Sequence, residues 1–278
     1  MSSPSPPPPP PPTQDQILSA LATSPLPHIL ALLSACPSPP PASALASAAI
    51  AHDRGDMITH LLTTNGVPVH AIPRKQAVAA QSRSVLQALL DSGGWDINED
   101  LGSYRGSALA SAVLARAPPD FVAWLLERGA DPNGPCAGVD HCGHALRVAV
   151  QMADGEGEGL SPVARMLLER GADVDGSRAL HMAAQKGWVG WVRALVEEWG
   201  AGVDAEGIDP DWAGSTEREM GIGAPLHYAA RNGHGEVARY LVGRGADLGR
   251  RDSNGRTPRE VAEHFGHDEV ARVLALEG

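Results

Sequence analysis

The feature that most constrains this chain is the segment from Gly223 to Asp247, G-A-P-L-H-Y-A-A-R-N-G-H-G-E-V-A-R-Y-L-V-G-R-G-A-D, which reads as two short helices joined by a turn. Pro225 suits the first helical position, because its φ is already helical and its missing N–H would find no partner there. The first helix therefore starts at Ala224 or Pro225. Leu226, Ala229 and Ala230 recur at the i, i+3, i+4 spacing of one buried face, and Gly233 supplies the permissive backbone that ends it. In the second helix Val237, Tyr240 and Leu241 form the apolar stripe, and Gly245 sits where a left-handed cap is expected. Two helices of this length cannot enclose a core alone, so they have to lean on others of their kind.

The rest of the chain supplies those others. Ser43–Ala48 recurs letter for letter as Ser107–Ala112, 64 residues later, and each copy is followed at the same spacing by an Asp (Asp56, Asp120) that opens a second helix. Downstream, the first-helix leucines are Leu109, Leu146, Leu180 and Leu226, and the closing glycines are Gly129, Gly171, Gly200 and Gly245. From closing Gly to next Leu the chain takes 17, 9 and 26 residues, against 14 from Gly245 to the equivalent Arg259. One join is thus cut short, before Leu180, and one enlarged, before Leu226. A separate acidic, Gly-rich loop, Asp154–Ser161, lies between two helices of one unit. The last unit opens on Thr257-Pro258-Arg259-Glu260, a capping box with Pro at the first helical position, and Arg259 in place of the core Leu fits an outer face turned to water. Upstream, Ala77–Ile97 fits one further unit, and Asp15–Cys36 a degenerate helix pair suited to capping a stack.

The run Ala224-Pro225-Leu226-His227-Tyr228-Ala229 resembles the ankyrin repeat signature T-P-L-H-x-A, and Gly245-Ala246-Asp247 matches its close. The resemblance implies an all-α solenoid of helix–turn–helix units with β-hairpin fingers, partner proteins being held on the concave side. In that family the leading Thr and the His are hydrogen-bonded neighbours, so Ala224 leaves His227 without its usual partner. The organisation expected is a disordered Pro-rich tail over 1–14, a degenerate helix pair and linker over 15–41, and a repeat array over 42–278 of about seven units, clearest over 106–278.

The chain is 43% hydrophobic but only 4% aromatic, which suits closely packed small helices rich in Ala, Leu and Val. With 22 Lys and Arg against 33 Asp and Glu, its net charge of −11 argues against nucleic acid and anionic membranes as partners. Three cysteines cannot make a disulfide framework and fit a reducing compartment. No signal-peptide pattern or membrane-length apolar run is visible, so the expectation is a monomeric cytoplasmic or nuclear protein. The prolines Pro6–Pro12 can serve as a ligand for a polyproline-binding module or merely as a solubilising tail.

No nucleophile–base spacing, H-E-x-x-H, G-x-S-x-G or phosphate-loop motif is present, so no catalytic residue and no cofactor are expected. Cys136, His141, Cys142 and His144 offer four metal-ligating side chains, but adjacent His141 and Cys142 converge poorly on one ion; no metal is expected, and a metal-binding or redox-responsive module is the alternative reading. His181 and His227 share one repeat slot and are read as hydrogen-bonded to neighbouring backbone. Trp191 takes a core position, whereas Trp188 replaces the family's His and is counted among the partner-binding candidates. Asp211 and Trp212 lie in the enlarged join, Ala205–Ile222, where a tryptophan either grips a partner or anchors its own loop. The family's partner-contacting positions fall here on Gln185, Lys186, Arg231 and Asn232, read as exposed. With Arg251 and Arg256 they would form a locally basic patch suited to an acidic peptide or loop, or else merely solvated helix ends.

Overall fold

The computed structural model describes residues 10–102, 106–134, 145–153, 159–207 and 215–276. Among these residues the regular elements are all helical. They fall into two compact groupings, one ending at Asp96 and one beginning at Ile97.

The first grouping holds three helix pairs: α1 (Gln14–Ala20) with α2 (Leu26–Ala35), α3 (Ala42–Ala51) with α4 (Gly55–Thr63), and α5 (Arg74–Ala79) with α6 (Arg83–Asp91). A capping box starts α1: Thr13 Oγ1 accepts from the Gln16 N–H at 3.3 Å and Gln16 Oε1 accepts from the Thr13 N–H at 2.9 Å. Each pair is tied to the next through polar groups at the turns. Ser82 Oγ donates to the Ile50 carbonyl at 2.6 Å, and the Asp53 carboxylate accepts from the Ser84 and Val85 N–H groups at 2.8 and 3.2 Å. Asp53 thereby caps α6, a helix belonging to the next pair.

The second grouping holds α7 (Ala108–Leu114), α8 (Pro119–Glu127), α9 (Ala145–Met152), α10 (Pro162–Glu169), α11 (Ala179–Lys186), α12 (Val189–Glu197), α13 (Ser215–Met220), α14 (Pro225–Arg231), α15 (Gly235–Gly243), α16 (Pro258–His264) and α17 (Asp268–Leu276). First helices pack in a row, α7 on α9, α9 on α11, α11 on α14 and α14 on α16, while α12 meets α15 and α15 meets α17 in a second row. This is the neighbour-on-neighbour burial that a repeat needs, because no pair has an apolar wall of its own. Leu109, Leu146, Leu180 and Leu226 occupy one slot of the first row and are completely or almost completely buried. Arg259 takes that slot in α16, lies exposed, and pairs with Glu263 at 2.9 Å. In α15 the buried residues are Val237, Ala238 and Leu241. Tyr240, read as part of the stripe, is half-exposed instead: its hydroxyl donates to Glu197 at 3.1 Å, and Arg193 and Arg244 stand over its ring. The phenol is amphipathic enough to sit at the edge of the row.

Gly129, Gly171 and Gly245 close second helices at φ of +88°, +87° and +89°, a left-handed cap that a side chain adopts only at a cost. Beyond two of these caps a side chain from the preceding join grips the turn. Asn98 Nδ2 donates to the Gly129 carbonyl at 3.0 Å and its Oδ1 accepts from the Asp131 N–H at 2.7 Å; Asn133 repeats both bonds with Gly171 and Asp173 at 2.9 and 2.7 Å. Asp175 and Asp204 continue the series by accepting from the N–H groups of Gly202 and Asp247. Among the described residues the fingers are therefore turns, registered by Asn and Asp side chains; where a finger folds back on itself, as from Asp252 N–H to the Arg256 carbonyl at 2.8 Å, no strand develops.

Candidate functional site

The expected contact positions stand at the ends of α11 and α14 and on the last finger. Gln185 and Asn232 are exposed. Each is partly committed: the Gln185 backbone carbonyl accepts from His234 Nε2 at 2.9 Å, and the Asn232 side-chain Nδ2 donates to the Tyr228 carbonyl at 2.8 Å. Lys186 reaches the Gln151 carbonyl at 3.0 Å and lies 4.3 Å above the Trp188 ring, and burial, aided by Arg116, draws its pKa below the usual lysine value. Trp188 is 7% exposed, at the start of α12 and tilted against the fully buried Trp191. It fills the slot that His234 and His267 fill in the next two units, where their imidazoles reach back to the Gln185 and Arg231 carbonyls. Trp188 packs where those residues hydrogen-bond.

Arg231 departs from the expectation of exposure: it is 7% exposed. Its Nη2 donates to the Gly221 carbonyl, at the end of the enlarged join, and its guanidinium lies 4.8 Å from the Tyr228 ring centre. Burial draws its pKa down from the usual arginine value. Arg256 is likewise engaged, holding the Asp252 carboxylate through Nε and Nη2 at 3.2 and 3.1 Å and the Met220 carbonyl at 2.7 Å. Arg251 stays exposed and reaches Glu260 at 3.4 Å. The basic patch read from the sequence is thus divided. Arg251 faces water, whereas Arg231 and Arg256 hold the chain's own insertion.

That insertion contains a helix, α13, beyond those expected from the repeat pattern. α13 buries none of its residues, yet its C-terminal end is pinned four times over. Besides the two arginine contacts, Asn254 Nδ2 donates to the Glu219 carbonyl at 3.1 Å, and Ser253 exchanges bonds with Ile222 at 2.8 and 2.9 Å. Gly221 makes the approach possible: at φ +90°, a Cβ there would collide with Asp252 Oδ2 and lie 2.6 Å from Arg256 Nη2. Glu217 points from α13 toward Arg147 of α9, 3.9 Å away, with one carboxylate oxygen buried and unbonded. The signal that could have found α13 is Ser215-Thr216-Glu217, a helix-start composition with an acidic first turn.

His181 and His227 are structural. His181 Nε2 donates to the Ala205 carbonyl at 3.2 Å, its ring stands edge-on to Tyr228 at 5.4 Å, and complete burial, with Arg178 nearby, pushes its pKa down to about 3. His227 Nε2 lies 3.1 and 3.2 Å from the Arg250 and Arg256 carbonyls, while its Nδ1 is buried without a bond, where the family's Thr would have stood near.

Asp211, Trp212, Cys136, His141, Cys142 and His144 lie outside the described residues, as do Pro6–Pro9 of the proline run. Among the described residues no three His, Cys, Asp or Glu side chains gather as a metal site, and no helix is long and apolar enough to cross a membrane.

A family model described as ankyrin repeats in three copies matches residues 146–252 and 217–278. Residues 146–278 are ankyrin repeats. The ankyrin repeat domain of human ASB11 superposes with a TM-score of 0.55, covering 84% of this chain and 97% of that domain at 24% identity. The likeness extends the ankyrin fold well beyond the part that the family model matches. Among curated proteins, the E3 ubiquitin-protein ligase XBAT33 of Arabidopsis thaliana is 41% identical over 56 residues, and the ARF GTPase-activating protein GIT1 of Homo sapiens 50% over 50 residues. Protein phosphatase 1 regulatory subunit 12A of Mus musculus is 40% identical over 52 residues. These stretches are 20%, 18% and 19% of this chain and 11%, 7% and 5% of those proteins, so each likeness spans a small part of both chains.

Proposed function

We propose that this ankyrin repeat protein is a non-enzymatic protein-binding scaffold whose contact surface is the inner-helix and finger side of residues 97–278. Ankyrin repeats are generally protein-interaction modules, and the observation that carries the reading here is the division of labour along the first-helix row. Its apolar faces are consumed by neighbouring helices, while Gln185, Asn232 and Arg251 present unlike polar groups to water from successive units. A surface of that kind recognises by charge and hydrogen bonding more than by apolar burial. Trp212 and Asp211, in the insertion beside the shortened join, are assigned to the same surface, with Lys186 and Trp188 at its edge. The partner is another protein, with an acidic peptide or loop as the segment recognised; the site of action is the cytoplasm or nucleus.

The test is affinity capture with the native chain and with a Gln185→Ala, Asn232→Ala, Arg251→Ala variant of equal melting temperature. Partners retained by the first and lost by the second support the scaffold. An identical partner set from both overturns the placement of the surface.

A further inference from the structure

All seven residues of α14 are buried, including Tyr228 and Arg231, which on a first helix of this fold face away from the stack. In α16, by contrast, the buried residues are Pro258, Val261 and Ala262. The difference lies in what meets α14: Gly221 accepts from Arg231, and Glu217 acts on both Tyr228 and Arg231, so the end of the insertion lies against the face where a partner would bind on the reading given above.

The covered ground is basic. Arg231 lies against the Tyr228 ring, Arg147 and Arg178 act on the same phenol through their charge, and Glu217 stands nearest Arg147, with Asp252 also acting on Arg231. Glu217 answers them poorly. Its nearest contact to Arg147 is 3.9 Å, one of its oxygens is buried without a hydrogen bond, and the Nε of Arg231 is buried in the same condition. A guanidinium and a carboxylate that meet well do so through two parallel bonds below 3 Å or so. The resident pair falls short of that, and each unmade bond lowers the free energy needed to part it. The helix bearing Glu217 also has little else to hold it, since none of its residues is buried and its firm anchors lie at its C-terminal end, from Glu219 to Ile222. Elements with few buried contacts are the first to open.

We infer that the basic ground beneath Glu217, made by Arg147 and by Arg231 on Tyr228, is a docking site for an acidic side chain of a partner polypeptide, and that Glu217 on α13 is its resident pseudo-ligand, displaced when the partner binds. The occupant follows from charge complementarity: the chain carries a net charge of −11, yet Arg147, Arg178 and Arg231 meet here, and of the two described carboxylates that act on Arg231 one, Asp252, is already held by Arg256, which leaves Glu217. A partner carboxylate that seats itself squarely on both guanidinium groups replaces an imperfect internal contact with a better external one. The inference rests on the scaffold reading and narrows it to one subsite.

The probe is a labelled synthetic peptide with the sequence of Ser215–Ile222, alongside the same peptide with Gln in place of its first Glu. Binding is followed by fluorescence anisotropy on the full chain, on Glu217→Gln, and on Glu217→Gln combined with Arg147→Gln. Glu217→Gln is nearly isosteric and leaves the fold in place, which melting curves verify. The expected result is at least about tenfold tighter binding to Glu217→Gln than to the native chain, lost again with Arg147→Gln and absent for the Gln peptide. Hydrogen exchange should quicken at residues 216–219 in Glu217→Gln and nowhere else. Equal affinity of the native and Glu217→Gln chains, equal binding of the two peptides, or unchanged exchange at 216–219 would overturn the inference. If partner capture still depends on Gln185, Asn232 and Arg251 in that event, the scaffold stands without this subsite.

Discussion

His267 places its imidazole Nε2 2.8 Å from the carbonyl oxygen of Arg231, the last residue of α14, and so bolts the final helix pair to the one before it. His234 makes the same contact one unit earlier, 2.9 Å from the Gln185 carbonyl. In both cases a glycine lets the ring approach: a Cβ on Gly233 would lie 2.7 Å from His267 Nδ1, and one on Gly187 2.5 Å from His234 Nδ1.

The His267→Ala variant should therefore lose about 1 kcal/mol, the net value of one such hydrogen bond. The loss should be local. Hydrogen exchange in α16 and α17 should quicken while α7 and α8 remain protected, because each pair rests on its neighbours alone. Uniform quickening across residues 97–278 would contradict that view of the stack.

Leu180 and Leu226 fill equivalent core slots with almost no exposure. Replacing either by Ala should cost about 2–5 kcal/mol through the cavity left behind. The exposed Gln185→Ala should stay within about 0.5 kcal/mol of the native chain. Chemical denaturation of the three variants measures both values, and a cost below about 1 kcal/mol for Leu180→Ala would show that the row closes up around the cavity.

Gly221 combines a φ of +90° with the immediate presence of Asp252 and Arg256. Gly221→Ala should cost about 1–3 kcal/mol from backbone strain, with the steric conflict resolved by lifting the insertion off the last finger. Protease cleavage near residues 215–222 should rise in that variant, with the cleavage pattern of residues 10–96 unchanged.

Acid should weaken the fold through His181. Its pKa is about 3 when folded because the ring is wholly buried, and about 6.5 when the chain unfolds. Between those values the unfolded chain binds a proton that the folded chain refuses, so stability rises with pH across the window. The contribution of the buried neutral ring is complete above pH 6.5 or so and is lost as the pH falls toward 3. A His181→Gln variant, which retains a donor for the Ala205 carbonyl, should show a shallower loss of melting temperature from pH 6.5 to 4 than the native chain. Identical slopes would assign the acid sensitivity to other groups.

What the sequence determined by itself is the repeating unit. Pro225, the Leu226–Ala229–Ala230 spacing, Gly233 and Gly245 each act within a few residues of themselves, so the helices, their caps and the slots of Leu180, Trp191 and Arg259 could be read without a neighbour in view. The relations that tertiary structure alone decided join residues distant in the chain: Asn133 gripping Gly171, His267 reaching Arg231, Glu217 facing Arg147. Periodicity reports which face of a helix is apolar and says nothing about what returns to cover a polar one. Arg231 and Asn232 look alike in the sequence as polar residues ending a helix, yet one is buried beneath the insertion and the other meets water, because the path of residues 215–222 is set by Gly221, Asp252 and Arg256 together.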